Sequence, residues 1–146
     1  MSRGTPEARH ARAWLFLVIA LALHVADEAL TGFLDFYNPL VLSLRERIGW
    51  FPMPTFTFGV WLTGLIVAVV ILALLTPWIE RGGRGVAALS WVFAGLMFLN
   101  GVGHLAGSLF FSRWLPGATS APLLLAASLM LVRRTLERRV PSGAAC

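Results

Sequence analysis

The chain has 146 residues and 15.9 kDa, enough for one domain, and its 58% hydrophobic and 13% charged residues leave too little polar surface to cover a soluble fold. A formal charge of +5 does not make it a nucleic-acid binder, because the charges form no stripe and sit in short gaps between apolar runs. All twelve basic residues are arginine, and the lone Cys146 excludes a disulfide framework, a CxxC redox pair and a thiolate zinc site.

A short basic N-terminal segment, residues 1–12, precedes the first apolar run. Four runs are long enough for a bilayer whose hydrocarbon core takes roughly 20 helical residues: Ala13 to Thr31, Thr57 to Leu75, Val86 to Phe111 and Trp114 to Val132. Between the first two, Asn38-Pro39 introduces Leu40, Leu44, Ile48 and Phe51 at helical spacing, with Arg45, Glu46 and Arg47 on the other side. That pattern predicts a short interfacial helix with a solvated charged face. The fourth run opens at the Pro116-Gly117 turn, with Ser120 as N-cap and Pro122 in the first turn. Trp14, Trp50, Trp78 and Trp114 fall near run ends, where amphipathic rings meet headgroups. The expected architecture is an all-α, integral membrane four-helix bundle over residues 13–132, with tails at 1–12 and 133–146.

Arginine placement sets the expected orientation. Arg3, Arg9, Arg12, Arg81, Arg84, Arg133, Arg134, Arg138 and Arg139 fall on one side, against Arg45, Arg47 and Arg113 on the other. By the positive-inside rule both termini are expected to be cytoplasmic. The terminal arginines also suit anionic lipid. A competing reading takes residues 1–22 as a signal peptide ending at Ala20-Leu21-Ala22, but the apolar pattern continues past that point.

Ionisable residues inside a span are expensive, so each is a candidate for function facing the bundle interior. At about 100° per residue, His24, Asp27, Glu28, Thr31 and Asp35 share one sector of the first helix. In the third run Asn100 and His104 are one turn apart, beside Gly103, Gly107 and Ser108, small residues that let a neighbouring helix approach. At about 1.5 Å per residue from the cytoplasmic ends, both clusters reach similar depth in the outer half of the bilayer. His10 lies outside the membrane on this reading. Two imidazoles with adjacent carboxylates suit zinc or iron, with His24, Glu28 and His104 as ligands.

The stretch His24-Val-Ala-Asp27-Glu28 resembles the signature of the HXXEE family of small bacterial membrane proteins. Asn100-x-x-x-His104, followed by Trp114-Leu-Pro-Gly117 and an apolar run, is similar to that family's second region. The chain departs from the pattern at Asp27, which keeps the charge and shortens the reach by one methylene. The resemblance implies a membrane location and a polar site at His24, Asp27, Glu28, Asn100 and His104. It supplies no reaction.

Two classes of function follow from the residues. One is a metal-dependent enzyme acting on a lipid-like small molecule, in which Asp27, Glu28 and Asn100 take part in catalysis and the interfacial helix is a lid. The other is a small proton-coupled transporter or binding protein using Asp27 or Glu28, working as a homodimer. Bis-histidine haem ligation by His24 and His104 is a third use of the same imidazoles. Against all of these stands a purely structural polar cluster, in which interhelical hydrogen bonds of about 0.6 kcal/mol each hold the helices together.

Overall fold

The computed structural model describes residues 5–83 and 85–138; Arg3, Arg84, Arg139 and the segment to Cys146 lie outside them. The described residues form six α-helices and no strand: α1 (Pro6–Leu30), α2 (Phe33–Ile48), α3 (Phe58–Leu74), α4 (Thr76–Arg81), α5 (Val86–Phe110) and α6 (Ala121–Glu137). Residues 6–12 are therefore helical and do not form a tail. The Thr5 hydroxyl accepts the Ala8 N–H at 3.2 Å and Pro6 occupies the first turn, so capping starts α1 before the apolar run does.

Three helices are long and apolar enough to cross a membrane: α1, the α3–α4 unit Phe58–Arg81, and α5. Among the described residues α6, expected as a fourth span, is not one of them. Residues 114–115 are irregular and 116–120 are turn, with Gly117 at φ +83°, and α6 begins only at Ala121 and has 17 residues. Its last turn is polar, where Arg133 and Arg134 lie 3.0 and 2.6 Å from Glu137. The hydrogen bond from Arg134 is the largest influence holding that carboxyl below the usual range.

Packing follows from where the small and large side chains fall. α6 lies against both α5 and α1, and α1 packs in turn on α3 and α4, while α1 and α5 touch little. Trp14, Leu17, Ile79, Leu124 and Leu131 are wholly buried between these helices. Gly101 lets α5 approach α6, since a Cβ there would stand 2.9 Å from Leu125 Cγ and 3.2 Å from the Ala121 carbonyl. Gly103 faces open space, and Gly107 faces the Leu115 side chain. Trp14, expected to meet headgroups, is wholly buried between helices. It donates Nε1–H to the Leu72 carbonyl at 2.9 Å and lies 4.9 Å from the Phe93 ring.

α2 begins seven residues before Leu40 because Gly32, at φ +76°, turns the chain out of α1 within two residues. Its apolar row is partly covered: Leu40 and Leu44 are half-buried and Ile48 is 61% exposed, while Val41 is the buried residue of the helix. Arg45 is not solvated in the way expected, because it donates to the carbonyls of Phe51 and Met53 and straps the following loop to the helix. Asn38 does the same, donating to the Phe56 carbonyl at 2.9 Å and accepting its N–H at 3.1 Å. Tyr37 donates to the Pro54 carbonyl, and burial pushes its phenol up from the ordinary value.

His10, expected outside the membrane, is completely buried. Arg138 donates to Nδ1 at 3.0 Å, so Nε2 carries the proton and reaches Thr135 Oγ1 at 3.1 Å. Thr135 spends its own proton on the Leu131 carbonyl, which leaves its oxygen free to accept. Ser90 Oγ lies 3.1 Å from the same nitrogen. The ring therefore ties α1, α5 and α6 together at the end where α1 begins.

Candidate metal centre

The last two turns of α1 put His24 and Glu28 on one face by their spacing of four. The C-terminal third of α5 brings His104 alongside. The His104 Nε2 lies 3.0 Å from Glu28 Oε1, and His24 Nε2 lies 3.6 Å from the same oxygen. One ligand atom from each residue falls within 4.8 Å of the others, and all three side chains are buried. Zinc bonded tetrahedrally to nitrogen and oxygen at about 2.0–2.1 Å holds its ligand atoms roughly 3.3 Å apart, and the two measured separations bracket that value.

The tautomer of His24 is set from the other side of the ring. Ser120 donates both its hydroxyl, at 2.7 Å, and its backbone N–H, at 2.9 Å, to Asp27 Oδ2. With that proton committed, the Ser120 oxygen can only accept from His24 Nδ1–H, 2.8 Å away. The Nε2 of His24 must then be a bare lone pair. It is buried and has no hydrogen-bond partner among the described residues. An orphaned imidazole nitrogen facing a buried carboxylate and a second imidazole is the donor set a divalent cation takes, with an Asp–Ser–His relay behind it fixing the ring.

Ser120 is thus a component of the site. It sits at the N-cap position of α6 without a side-chain capping bond, because its hydroxyl is spent on Asp27 and His24. Sequence reasoning passed over it, since Ser before an apolar run is an ordinary capping signal. Removing the hydroxyl frees the ring to rotate, so Ser120→Ala is expected to weaken zinc affinity about 10–100-fold, as measured by calorimetric titration of the purified chain.

The adjacent acids diverge. Asp27, half-buried, points to Ser120, while Glu28 points to the two imidazoles. Thr31 is exposed and its hydroxyl returns to the Asp27 carbonyl at 2.6 Å. Asp35 is exposed and lies across a cavity of ≈320 Å³ from Glu28, among Phe33, Asn38, Phe56 and Trp61. Asn100 stands apart from the cluster, in a second cavity of ≈200 Å³ shared with Phe33, Phe36 and His104. Phe33 lines both cavities, with its ring 5.7 Å from His104 and 5.8 Å from Trp61. Ser108 serves the loop, accepting the Leu115 N–H at 3.1 Å and donating to the His104 carbonyl. The imidazoles meet edge-on at 4.7 Å between centroids, which leaves no room for a macrocycle between them and speaks against haem.

A protein family described as "Protein of unknown function with HXXEE motif" matches residues 14–131. No curated protein and no solved structure matches the chain.

Proposed function

The chain belongs to the HXXEE family, and we propose that its His24, Glu28 and His104 hold a divalent metal, zinc or iron, within a membrane-embedded bundle that acts on a lipid-like small molecule. The observation that carries this reading is the unpartnered Nε2 of His24, held in its deprotonated form by Ser120 and Asp27. Three protein ligands leave a further coordination position, which is the arrangement of catalytic sites. When bound, the ion would supply Lewis-acid activation of a water or a substrate oxygen.

The rest belongs to this chain's residues. Glu28 neutralises positive charge and borders the larger cavity, so a substrate there meets the carboxylate directly. Asp35 lies on the same cavity as a second carboxylate facing the substrate, and Phe33, Phe56 and Trp61 give that cavity an apolar wall for a lipid-like molecule. Asp27 orients His24 through Ser120, and Asn100 offers a donor from the neighbouring cavity. On this reading α6 completes a four-helix bundle as a short helix held between α1 and α5, and both ends of the chain face the cytoplasm.

A second reading rests on the 3.0 Å contact between His104 and Glu28, which without an ion is a hydrogen bond across which a proton can pass. It describes a proton-coupled binding protein or transporter. Elemental analysis of the detergent-purified full chain separates the two. Near-stoichiometric zinc or iron that disappears in the His24→Ala/His104→Ala variant is the expected result. Failure of the wild-type chain to take up either metal when reconstituted with it would remove the metal reading and leave the proton-coupled one.

A further inference from the structure

A different feature occupies the other end of the bundle. Arg9, Arg12 and Arg134 converge on a groove of ≈340 Å³ between the first half of α1 and the second half of α6, with Ala13, Phe16 and Met130 as its apolar wall. We propose that this groove binds the phosphate of an anionic phospholipid, whose acyl chain lies along Phe16 and Met130.

The guanidiniums are held in place without being used up. Arg12 donates Nε–H to the Ala8 carbonyl at 3.3 Å, and Arg134 donates from Nη1 to Glu137 at 2.6 Å. Each keeps other N–H groups for a ligand. The Nε of Arg9 is buried with no hydrogen-bond partner among the described residues, a costly arrangement unless an anion completes it. Glu137 is the acid closest to this set in the hydrogen-bond network, and it is shared between Arg133 and Arg134. Planar guanidiniums pair bidentately with phosphate oxygens, so three on one groove suit a single headgroup.

The apolar wall argues for a lipid over a soluble phosphate. Phe16 is 37% exposed and continues the groove toward the middle of α1, an apolar surface beside the arginines on which an acyl chain can lie. The groove is also remote from the metal centre: sixteen residues of α1 separate Arg12 from Glu28, about 24 Å along the helix. Occupancy of one does not require the other.

Native mass spectrometry of the full chain, released from mixed phosphatidylglycerol and phosphatidylcholine, tests this. Phosphatidylglycerol should be retained about tenfold over phosphatidylcholine, and the preference should fall to parity in Arg9→Gln/Arg12→Gln. It should survive in Arg47→Gln/Arg113→Gln, which removes the same net charge elsewhere, and in His24→Ala/His104→Ala. Met130→Trp fills the groove with every charge kept and should also abolish the preference, which covers the case of an arginine variant that does not fold. Parity in the wild type, equal loss in the two arginine variants, or a preference untouched by Met130→Trp would overturn the proposal. Displacement by millimolar inorganic phosphate would do so too, assigning the groove to a soluble anion.

Discussion

Glu28→Ala and His104→Ala are each expected to lower zinc or iron affinity by more than about a hundredfold, because the loss of a ligand exceeds the 10–100-fold cost of losing an outer hydrogen bond. Both substitutions make their helices more apolar, so insertion and helix content should be unchanged. Glu28→Gln is the sharper variant. An amide can still accept from His104 and keep the interhelical contact, but it does not neutralise a cation, so metal should be lost while thermal stability is kept. Calorimetric titration beside thermal unfolding monitored by circular dichroism reads both quantities. If all three variants lowered only the unfolding temperature and bound zinc as the wild type does, the cluster would be a set of helix-joining hydrogen bonds and nothing more.

Gly117→Ala should be the most damaging small substitution in the turn before α6. The residue is at φ +83°, where a Cβ costs about 1–2 kcal/mol. The new methyl would also stand 2.7 Å from His104 Cε1, 2.8 Å from His104 Nδ1 and 3.0 Å from Glu28 Cγ. Those neighbours are two of the proposed ligands, both buried, and overpacking of that kind adds roughly 1–3 kcal/mol. The expected result is a clear fall in unfolding temperature together with loss of metal. Gly64→Ala and Gly95→Ala serve as controls, because an added Cβ meets nothing within 4 Å at either position. Each should be neutral or stabilising by up to about 1 kcal/mol. Equal behaviour of all three variants would mean that the turn does not press on the site.

Part of this arrangement was legible before the fold was known. Helical periodicity alone puts His24 and Glu28 on one face, and the chain's one other imidazole deep in an apolar run is His104. What periodicity does not carry is the identity of the neighbour across the bundle. Ser120 reads as a cap because its local context fits one, and only the approach of α6 to α1 turns its hydroxyl toward Asp27 and His24. Phe33 hides for a similar reason: Asn38-Pro39 looks like a helix start, yet proline is tolerated within α2 and the helix begins at Phe33, just after Gly32. Asn100 shares a helix face and a cavity with His104, but that cavity lies apart from the one bordered by Glu28, with Phe33 lining both. The burial of His10 is not legible in the sequence either, because its partners Thr135 and Ser90 come from α6 and α5.

The position of α6 between α1 and α5 bears on when the centre comes into being during synthesis. The two imidazoles are contributed by segments made early and midway, but the hydroxyl that chooses the protonation of His24 and the glycine that fits over His104 come from the turn leading into α6. A nascent chain paused before that turn would display both histidines and the glutamate with neither ring oriented. On the proposed metal reading, loading would be a late event in biogenesis, and an ion acquired by the unfinished chain would be held weakly enough to exchange until the last described helix has docked.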